Sequence, residues 1–267
     1  RSRLLFVFLT LFSVVGLVSF FFVSEVSETY ARDQIGNNLE VSSRVLTETI
    51  QNRGELLRQA GYILSRDFAF QQAFSTGDQA TVVSAMQSLQ SRVRADLALL
   101  VQTEAPFHTL METQKSDLTG KPFPRADLIQ AAIDTDKPVN GTIEFRGLLF
   151  RVIVVPLLAP DPVAWFVIGF HIDDAFVKNL LGLTNTEVSV LSETPGSRKL
   201  FASTFPENIR RSLLQATSGL ENSWELTEQF LAQEPYLLRS VPMDQKQMIR
   251  LVLGRSLKNA MAPFYRL

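Results

Sequence analysis

Residues Leu4 to Val23 read LLFVFLTLFSVVGLVSFFFV, apolar nearly throughout and without a charge. Twenty residues of helix rise about 30 Å, the thickness of a bilayer's hydrocarbon core. The pattern then turns periodic. Ile35, Leu39, Val45, Leu46, Ile50, Leu56, Leu57, Ile63, Leu64, Phe68 and Phe74 recur at mixed spacings of three, four and seven, and no proline intervenes from Ser24 to Phe74. This predicts one long amphipathic helix, although Gly36, Gly54 and Gly61 each weaken it by up to ~1 kcal/mol against alanine. Ser75-Thr76-Gly77-Asp78 interrupts the pattern, and a shorter helix is expected from about Ala80 to Arg94.

From Asp96 the period drops towards two, the spacing of strands. Leu97–Val101 and Phe107–Thr113 read as a strand pair across the turn Glu104-Ala105-Pro106, and Pro124–Asp134 as a helix. Gly141–Phe145, Leu148–Leu158 and Ala164–Ile172 then read as three strands, the last two joined by Ala159-Pro160-Asp161-Pro162. The same order follows again. Glu187–Leu191 and Lys199–Thr204 flank a turn at Thr194–Ser197; a helix over Pro206–Ala216 and strands near Ser223–Phe230, Pro235–Pro242 and Gln247–Leu253 complete the set. Val167-Ile168-Gly169-Phe170-His171-Ile172-Asp173-Asp174-Ala175-Phe176 aligns without gaps on Val252-Leu253-Gly254-Arg255-Ser256-Leu257-Lys258-Asn259-Ala260-Met261, and Leu100-Val101 lies against Val190-Leu191. Two copies of one α+β unit are therefore expected. Asp174 and Asn259 occupy aligned positions, and both residue types favour helix N-caps, so they are read as the caps of a helix after each unit's last strand.

Charge sets the orientation. Arg1 and Arg3 precede the apolar run; Glu25 and Glu28 follow it. Cationic flanks stay on the cytoplasmic side, which sends everything after about residue 24 outside the cell. A cleaved signal peptide would have a shorter apolar core and small residues at its end, where this chain has Phe20-Phe21-Phe22. The expectation is an uncleaved membrane helix with the remainder of the chain outside, and Arg1 at the start suggests a piece of a longer protein. A net charge of -1 gives no general pull on nucleic acid. No cysteine is present, so disulfides, thiol catalysis and cysteine-held metals are excluded.

Four stretches carry a resemblance. They are Ser91-Arg92-Val93-Arg94-Ala95-Asp96-Leu97-Ala98-Leu99-Leu100-Val101, Val154-Val155-Pro156-Leu157-Leu158-Ala159-Pro160, Ala164-Trp165-Phe166-Val167-Ile168-Gly169-Phe170-His171-Ile172-Asp173-Asp174-Ala175, and Leu183-Thr184-Asn185-Thr186-Glu187-Val188-Ser189-Val190-Leu191. Together with the helix order they resemble the double Cache sensors of bacterial membrane receptors, in particular the extracytoplasmic region of diguanylate cyclase/phosphodiesterase proteins, over about residues 1 to 262. The resemblance implies two tandem PAS-like units, periplasmic sensing, and a cytoplasmic output of cyclic-di-GMP turnover. No Gly-Gly-Asp-Glu-Phe or Glu-Ala-Leu motif lies in this chain, nor a clear tyrosine-arginine-tryptophan-tyrosine-aspartate set of the kind amino-acid-binding Cache receptors use. The domains expected are a membrane helix with a cytoplasmic stub (1–24), a helical stalk and second helix (25–94), a membrane-distal unit (95–182), a membrane-proximal unit (183–262) and the start of a C-terminal connection (263–267). A homodimer is expected.

Catalysis and metal binding find little footing. His108 and His171 are the only histidines, 63 residues apart, and no His-Glu-x-x-His, calcium loop or Gly-x-Ser-x-Gly is present. A site of His108, His171 and Asp173 can be drawn, but nothing in the spacing asks for it. No cofactor, metal or enzymatic activity is expected. Binding is better supported. On the Ala164–Ile172 strand, Phe166, Ile168, Phe170 and Ile172 share a wholly apolar face suited to the long helix, while Trp165, Val167, Gly169 and His171 share the other. Arg151 interrupts the neighbouring apolar strand and suits a carboxylate or phosphate. Arg151, Trp165, His171 and Asp173 are the candidate lining of a small-ligand pocket in the first unit. Each has a plainer reading: Arg151 as a strand-edge residue reaching solvent, Trp165 as core, His171 as half-exposed and Arg146 as a turn residue. With Arg250 and Arg255 on its equivalent strand, the second unit is expected to transmit rather than bind. The alternative function is a ligand-free dimerising spacer or a dock for a partner protein.

Overall fold

The computed structural model describes residues 2–114, 118–158, 161–194, 197–215, 226–244 and 248–262; the side chains of residues 2–8, and of several others as far as residue 28, lie outside that description. Helix α1 (Ser2–Ser65) runs unbroken through all three glycines. It ends earlier than the hydrophobic pattern does. Asp67 stands extended and its Oδ1 accepts a 2.8 Å hydrogen bond from Phe70 N, starting a separate helix α2 (Phe68–Ser75). Asp78 caps α3 (Gln79–Val93) in the same way. Among the described residues, no helix is long and apolar enough to cross a membrane. Much of Leu4–Val23 lies outside the described side chains.

The strands then come in two sets. β1 (Leu97–Val101), β2 (Thr109–Glu112), β3 (Val139–Phe145), β4 (Leu148–Leu158) and β5 (Pro162–His171) make a sheet in the order β2-β1-β5-β4-β3. β6 (Glu187–Thr194), β7 (Ser197–Ser203), β8 (Leu226–Leu231), β9 (Glu234–Asp244) and β10 (Ile249–Ser256) make a second, in the order β7-β6-β10-β9-β8. Adding five to each strand of the first order gives the second. The helices repeat too: α4 (Ala126–Thr135) and α6 (Glu207–Gln215) follow the second strand of each set, and α5 (Asp174–Thr184) and α7 (Leu257–Met261) the fifth. The chain is therefore α+β with two antiparallel five-stranded sheets built on one plan. The expected turn near 195–196, the start of the Ser223–Phe230 strand, Gln247 and residues 263–267 lie outside the described residues.

By compactness the chain divides differently, into one unit of Val45–Thr204 with Pro242–Leu251 and another of Arg1–Arg44, Phe205–Val241 and Val252–Leu267. In the first unit, α1 lies on the face of β4 and β5 that the alternation assigned to it. A Cβ on Gly61 would sit 3.2 Å from Val155 and 3.4 Å from Phe166, and one on Gly54 would sit 3.7 Å from Ile153. The Arg53 guanidinium stacks 4.1 Å from the centre of the Phe170 ring. In the second unit, a Cβ on Gly36 of α1 would sit 3.2 Å from Leu226, and the Phe205 and Tyr236 ring centres lie 6.0 Å apart.

The helix caps differ from the sequence reading. Asp173, not Asp174, caps α5: its Oδ1 accepts a 2.7 Å bond from Phe176 N. Ser256, not Asn259, caps α7, accepting from Asn259 N at 3.3 Å. A cap accepts from the backbone N–H three residues on, and β5 ends at His171, which leaves Asp173 extended and Asp174 already in the first turn. Asp174 instead accepts a 3.0 Å bond from Ser203 N.

Candidate ligand-binding site

Register decides which of the four candidate residues can meet. Val101 pairs with Trp165 on one side and with Thr109 on the other; Trp165 pairs with Pro156, Gly169 with Val152, and His171 with Phe150. Residues directly opposite across a sheet share a face. Trp165, Val167, Gly169 and His171 thus share the face that Val101, Leu99, Phe150, Val152 and Val154 present to α4. There they meet Leu128 and Ile129 of α4, with Phe107, Leu118 and Phe123 from the connecting segments, in one buried apolar layer.

Arg151 does not join them. It pairs with Phe170 and Thr142, on the opposite face, which corrects the sequence-based grouping: one residue's step along a strand turns a side chain to the other side. Nor does its side chain reach solvent freely. It donates from Nη1 to Met243 O at 3.1 Å and from Nη2 to Asn140 Oδ1 at 2.8 Å. Burial pushes its guanidinium pKa down, and nearby Asp244 partly opposes that. Asp244 is the centre of this knot. Its Oδ2 accepts from Thr142 N at 3.0 Å, from Thr142 Oγ1 at 2.8 Å and from Arg125 Nη1 at 3.1 Å. Burial alone would raise the Asp244 carboxyl; these bonds outweigh it and hold the group below the usual carboxylate range. Arg125 also grips Asp127 with Nε and Nη2, at 2.6 and 2.8 Å.

His171 and Asp173 do meet, with 3.6 Å between Nδ1 and Oδ2. The imidazole also lies 5.1 Å from the Phe150 ring, and His171 N donates to Asp96 Oδ2 at 2.8 Å. Trp165 is six residues up the strand, roughly 20 Å away, so the four candidates do not form one pocket. Among the described residues no cluster of three or more potential metal ligands occurs.

The residue the sequence reading missed is Thr109. It is 1% exposed, Trp165 is 4% exposed, and Thr109 Oγ1 and Trp165 Nε1 are both buried without a hydrogen-bond partner. Buried polar atoms nearly always have one. The two residues flank Val101 in a single row across β2, β1 and β5, at most about 10 Å apart by strand spacing. Thr109 is fixed by its backbone, since its N donates to Lys121 O at 2.9 Å and its O accepts from Gly120 N at 2.8 Å, while Phe123 N closes on Phe107 O at 2.9 Å. Two buried polar atoms without partners on one row of an apolar layer are exceptions that ask for an explanation. No sequence signal marks Thr109, because its row depends on the register shift between Leu100 and Val101.

The fold defines a tandem sensory module of two matched sheets on a long helix. The family described as the double sensory domain of two-component sensor kinases matches residues 32–261, and the chain belongs to this double Cache family, whose domains sense rather than catalyse. No curated protein matches the chain in sequence. Solved structures share the fold at low identity. The ligand-binding domain of the Campylobacter jejuni chemoreceptor Tlp3, in complex with 4-methylisoleucine, is 12% identical at a TM-score of 0.59, covering 88% of this chain and 94% of that one. The periplasmic domain of Vibrio cholerae LuxQ is 13% identical at 0.53, covering 80% and 98%. The sensor domain of the V. cholerae histidine kinase DctB is 10% identical at 0.55, covering 84% and 96%.

Proposed function

We propose that this chain is the periplasmic sensory module of a bacterial inner-membrane receptor, and that it binds a small ligand between the first sheet and α4. The observation that carries the reading is the pair of orphaned atoms, Trp165 Nε1 and Thr109 Oγ1, on one row of that face. The uncharged Leu4–Val23 segment anchors the chain, a role supported by the exposure of Phe12, Leu17, Val18 and Phe22. The second sheet transmits. In it Gly254, aligned with Gly169, faces the Phe205 ring, where a Cβ would come within 2.7 Å, so its equivalent layer is filled by the chain's own aromatic. His171 and Asp173, 3.6 Å apart at the start of α5, lie outside this site.

A thermal-shift screen of the full chain against metabolites tests this. A ligand that binds only the folded state adds about 2.7 kcal/mol at 100 times its dissociation constant. The stabilisation should vanish in Trp165→Phe, which keeps an aromatic ring and removes the donor. A ligand bound equally well by Trp165→Phe would move the site elsewhere.

Output is proposed to be cyclic-di-GMP turnover, on the stretches that resemble diguanylate cyclase/phosphodiesterase receptors; the family's own description points to a sensor kinase. Following cyclic-di-GMP and phosphoryl transfer in cells carrying the whole receptor separates the two. A homodimer is supported by the exposed apolar positions Val41, Leu56 and Ile63 on α1, and sedimentation of the full chain in detergent tests it. A ligand-free spacer is the second reading, favoured by the three phenylalanines, Phe107, Phe123 and Phe150, packed into the layer.

A further inference from the structure

The chemistry of the layer restricts what it can hold, and this inference rests on the ligand-binding reading above. We infer that the site takes a neutral molecule bearing carbonyl or hydroxyl oxygens, and excludes carboxylates, phosphates and zwitterions. The positions on this face follow from the pairing registers. β2 contributes Thr109 and Glu112, β1 Leu97, Leu99 and Val101, and β5 Trp165, Val167, Gly169 and His171. β4 contributes Phe150, Val152 and Val154, and β3 Gly141 and Ile143. Among these described residues there is no lysine or arginine. α4 adds Leu128, Ile129 and Ala132.

The nearby guanidinium groups are committed elsewhere. Arg125 holds Asp127 two-pronged and reaches Thr142 O at 2.6 Å and Asp244, while Arg151 lies on the opposite face. Glu112, on this face, accepts from Leu118 N at 3.3 Å. A carboxylate placed against these described residues would lose its hydration with no cation among them in return, a cost of several kcal/mol. A neutral oxygen faces no such penalty. Indole Nε1 is a donor only, and a threonine hydroxyl donates or accepts. The pair therefore asks for one acceptor at Trp165 and a carbonyl, hydroxyl or amide at Thr109, joined by a short apolar body.

The test uses the full chain in detergent, carrying Trp224→Phe so that Trp165 is the sole remaining tryptophan of the two. The probes are 5-hydroxypentan-2-one and pentanamide against pentanoate and L-norvaline, which have equal carbon counts and differ in charge. The neutral pair is expected to raise the melting temperature and to shift the Trp165 emission to longer wavelength as its N–H finds an acceptor. In Thr109→Val, which keeps the shape and removes the hydroxyl, the neutral probes should bind about tenfold more weakly, the equivalent of one lost hydrogen bond. The unliganded Thr109→Val protein should melt at a higher temperature than its parent, because an unsatisfied hydroxyl has gone.

The results separate the two levels of the reading. If pentanoate or L-norvaline gives the shifts, and Thr109→Val abolishes them, a small ligand binds here and the neutral class is wrong. Silence from all four probes overturns the neutral class. A lower melting temperature for Thr109→Val means the hydroxyl already has a structural partner, such as a buried water, and overturns both the class and the site.

Discussion

At the scale of single residues, the segment His171-Ile172-Asp173-Asp174 shows how a one-position choice sets a role. Both aspartates are acceptable caps by residue type, and the alignment with Asn259 favours Asp174. The structure gives the cap to Asp173 and ties Asp174 to Ser203 N. The pattern could not choose because it locates a strand's end only to within a residue or two, and the second copy caps two residues earlier in the alignment, at Ser256. Changing Asp173 to alanine should cost about 1 kcal/mol, and changing it to asparagine only a few tenths, since asparagine caps nearly as well. Chemical denaturation of the two variants checks this. A loss for asparagine as large as for alanine would show that the charge beside His171 matters and the cap does not. Trp165 was legible as an aromatic on a mixed face. Its orphaned N–H was not, since satisfaction depends on three-dimensional neighbours.

At the scale of elements, much of the sheet could be read directly. The limits of Leu97–Val101 and Leu148–Leu158 coincide with β1 and β4, because buried strands bounded by turns leave a sharp apolar signature. The break at Asp67 was hidden, since apolar residues continue in register across it into α2. The aligned glycines Gly169 and Gly254 carry the repeat into packing. A Cβ on Gly169 would lie 2.6 Å from the Arg151 carbonyl oxygen, whereas one on Gly254 would meet the side chains of Leu238 and Phe205 at 2.6 and 2.7 Å. Backbone within a sheet cannot yield as a ring can. Gly169→Ala should therefore cost about 3 kcal/mol and Gly254→Ala nearer 1–2 kcal/mol; equal losses in denaturant melts would refute the distinction.

The Asp244 knot also belongs to this scale, because it fixes the end of β9 to β3. Asp244→Asn leaves buried Arg125 with only Asp127 as its counter-charge, at an expected cost of about 2 kcal/mol. Since the folded carboxyl sits below its ordinary value, its contribution is present above the unfolded aspartate pKa of about 3.9 and fades as the pH falls through the lower folded value. The difference in melting temperature between wild type and Asp244→Asn should thus be full at pH 6 and shrink only below about pH 4. A gap that closes near neutrality would assign the effect to another group.

For the whole molecule, α1, like β9 and β10, contributes residues to both compact units. Its 64 residues rise about 96 Å, with residues up to Arg44 belonging to one unit and those from Val45 to the other. Each unit places a glycine of α1 against its own strands, Gly36 at Leu226 and Gly54 and Gly61 at Ile153, Val155 and Phe166. An unbroken helix seated in two cores is expected to couple their unfolding, because melting either end frays the support of the other. Arg44 is the exposed residue at the division, and its ion pair with Glu40, at 3.5 Å and open to solvent, contributes little. Proline there removes the hydrogen bond to Glu40 O and clashes with that carbonyl, costing about 3 kcal/mol, while leaving each unit's packed face in place. The full chain should melt in a single calorimetric transition, Arg44→Ala should follow it within about 0.5 kcal/mol, and Arg44→Pro should split the transition in two. In that variant a ligand of the first sheet should raise only one of the two melting temperatures. One cooperative transition surviving in Arg44→Pro would mean that the units are coupled through the sheets rather than through α1.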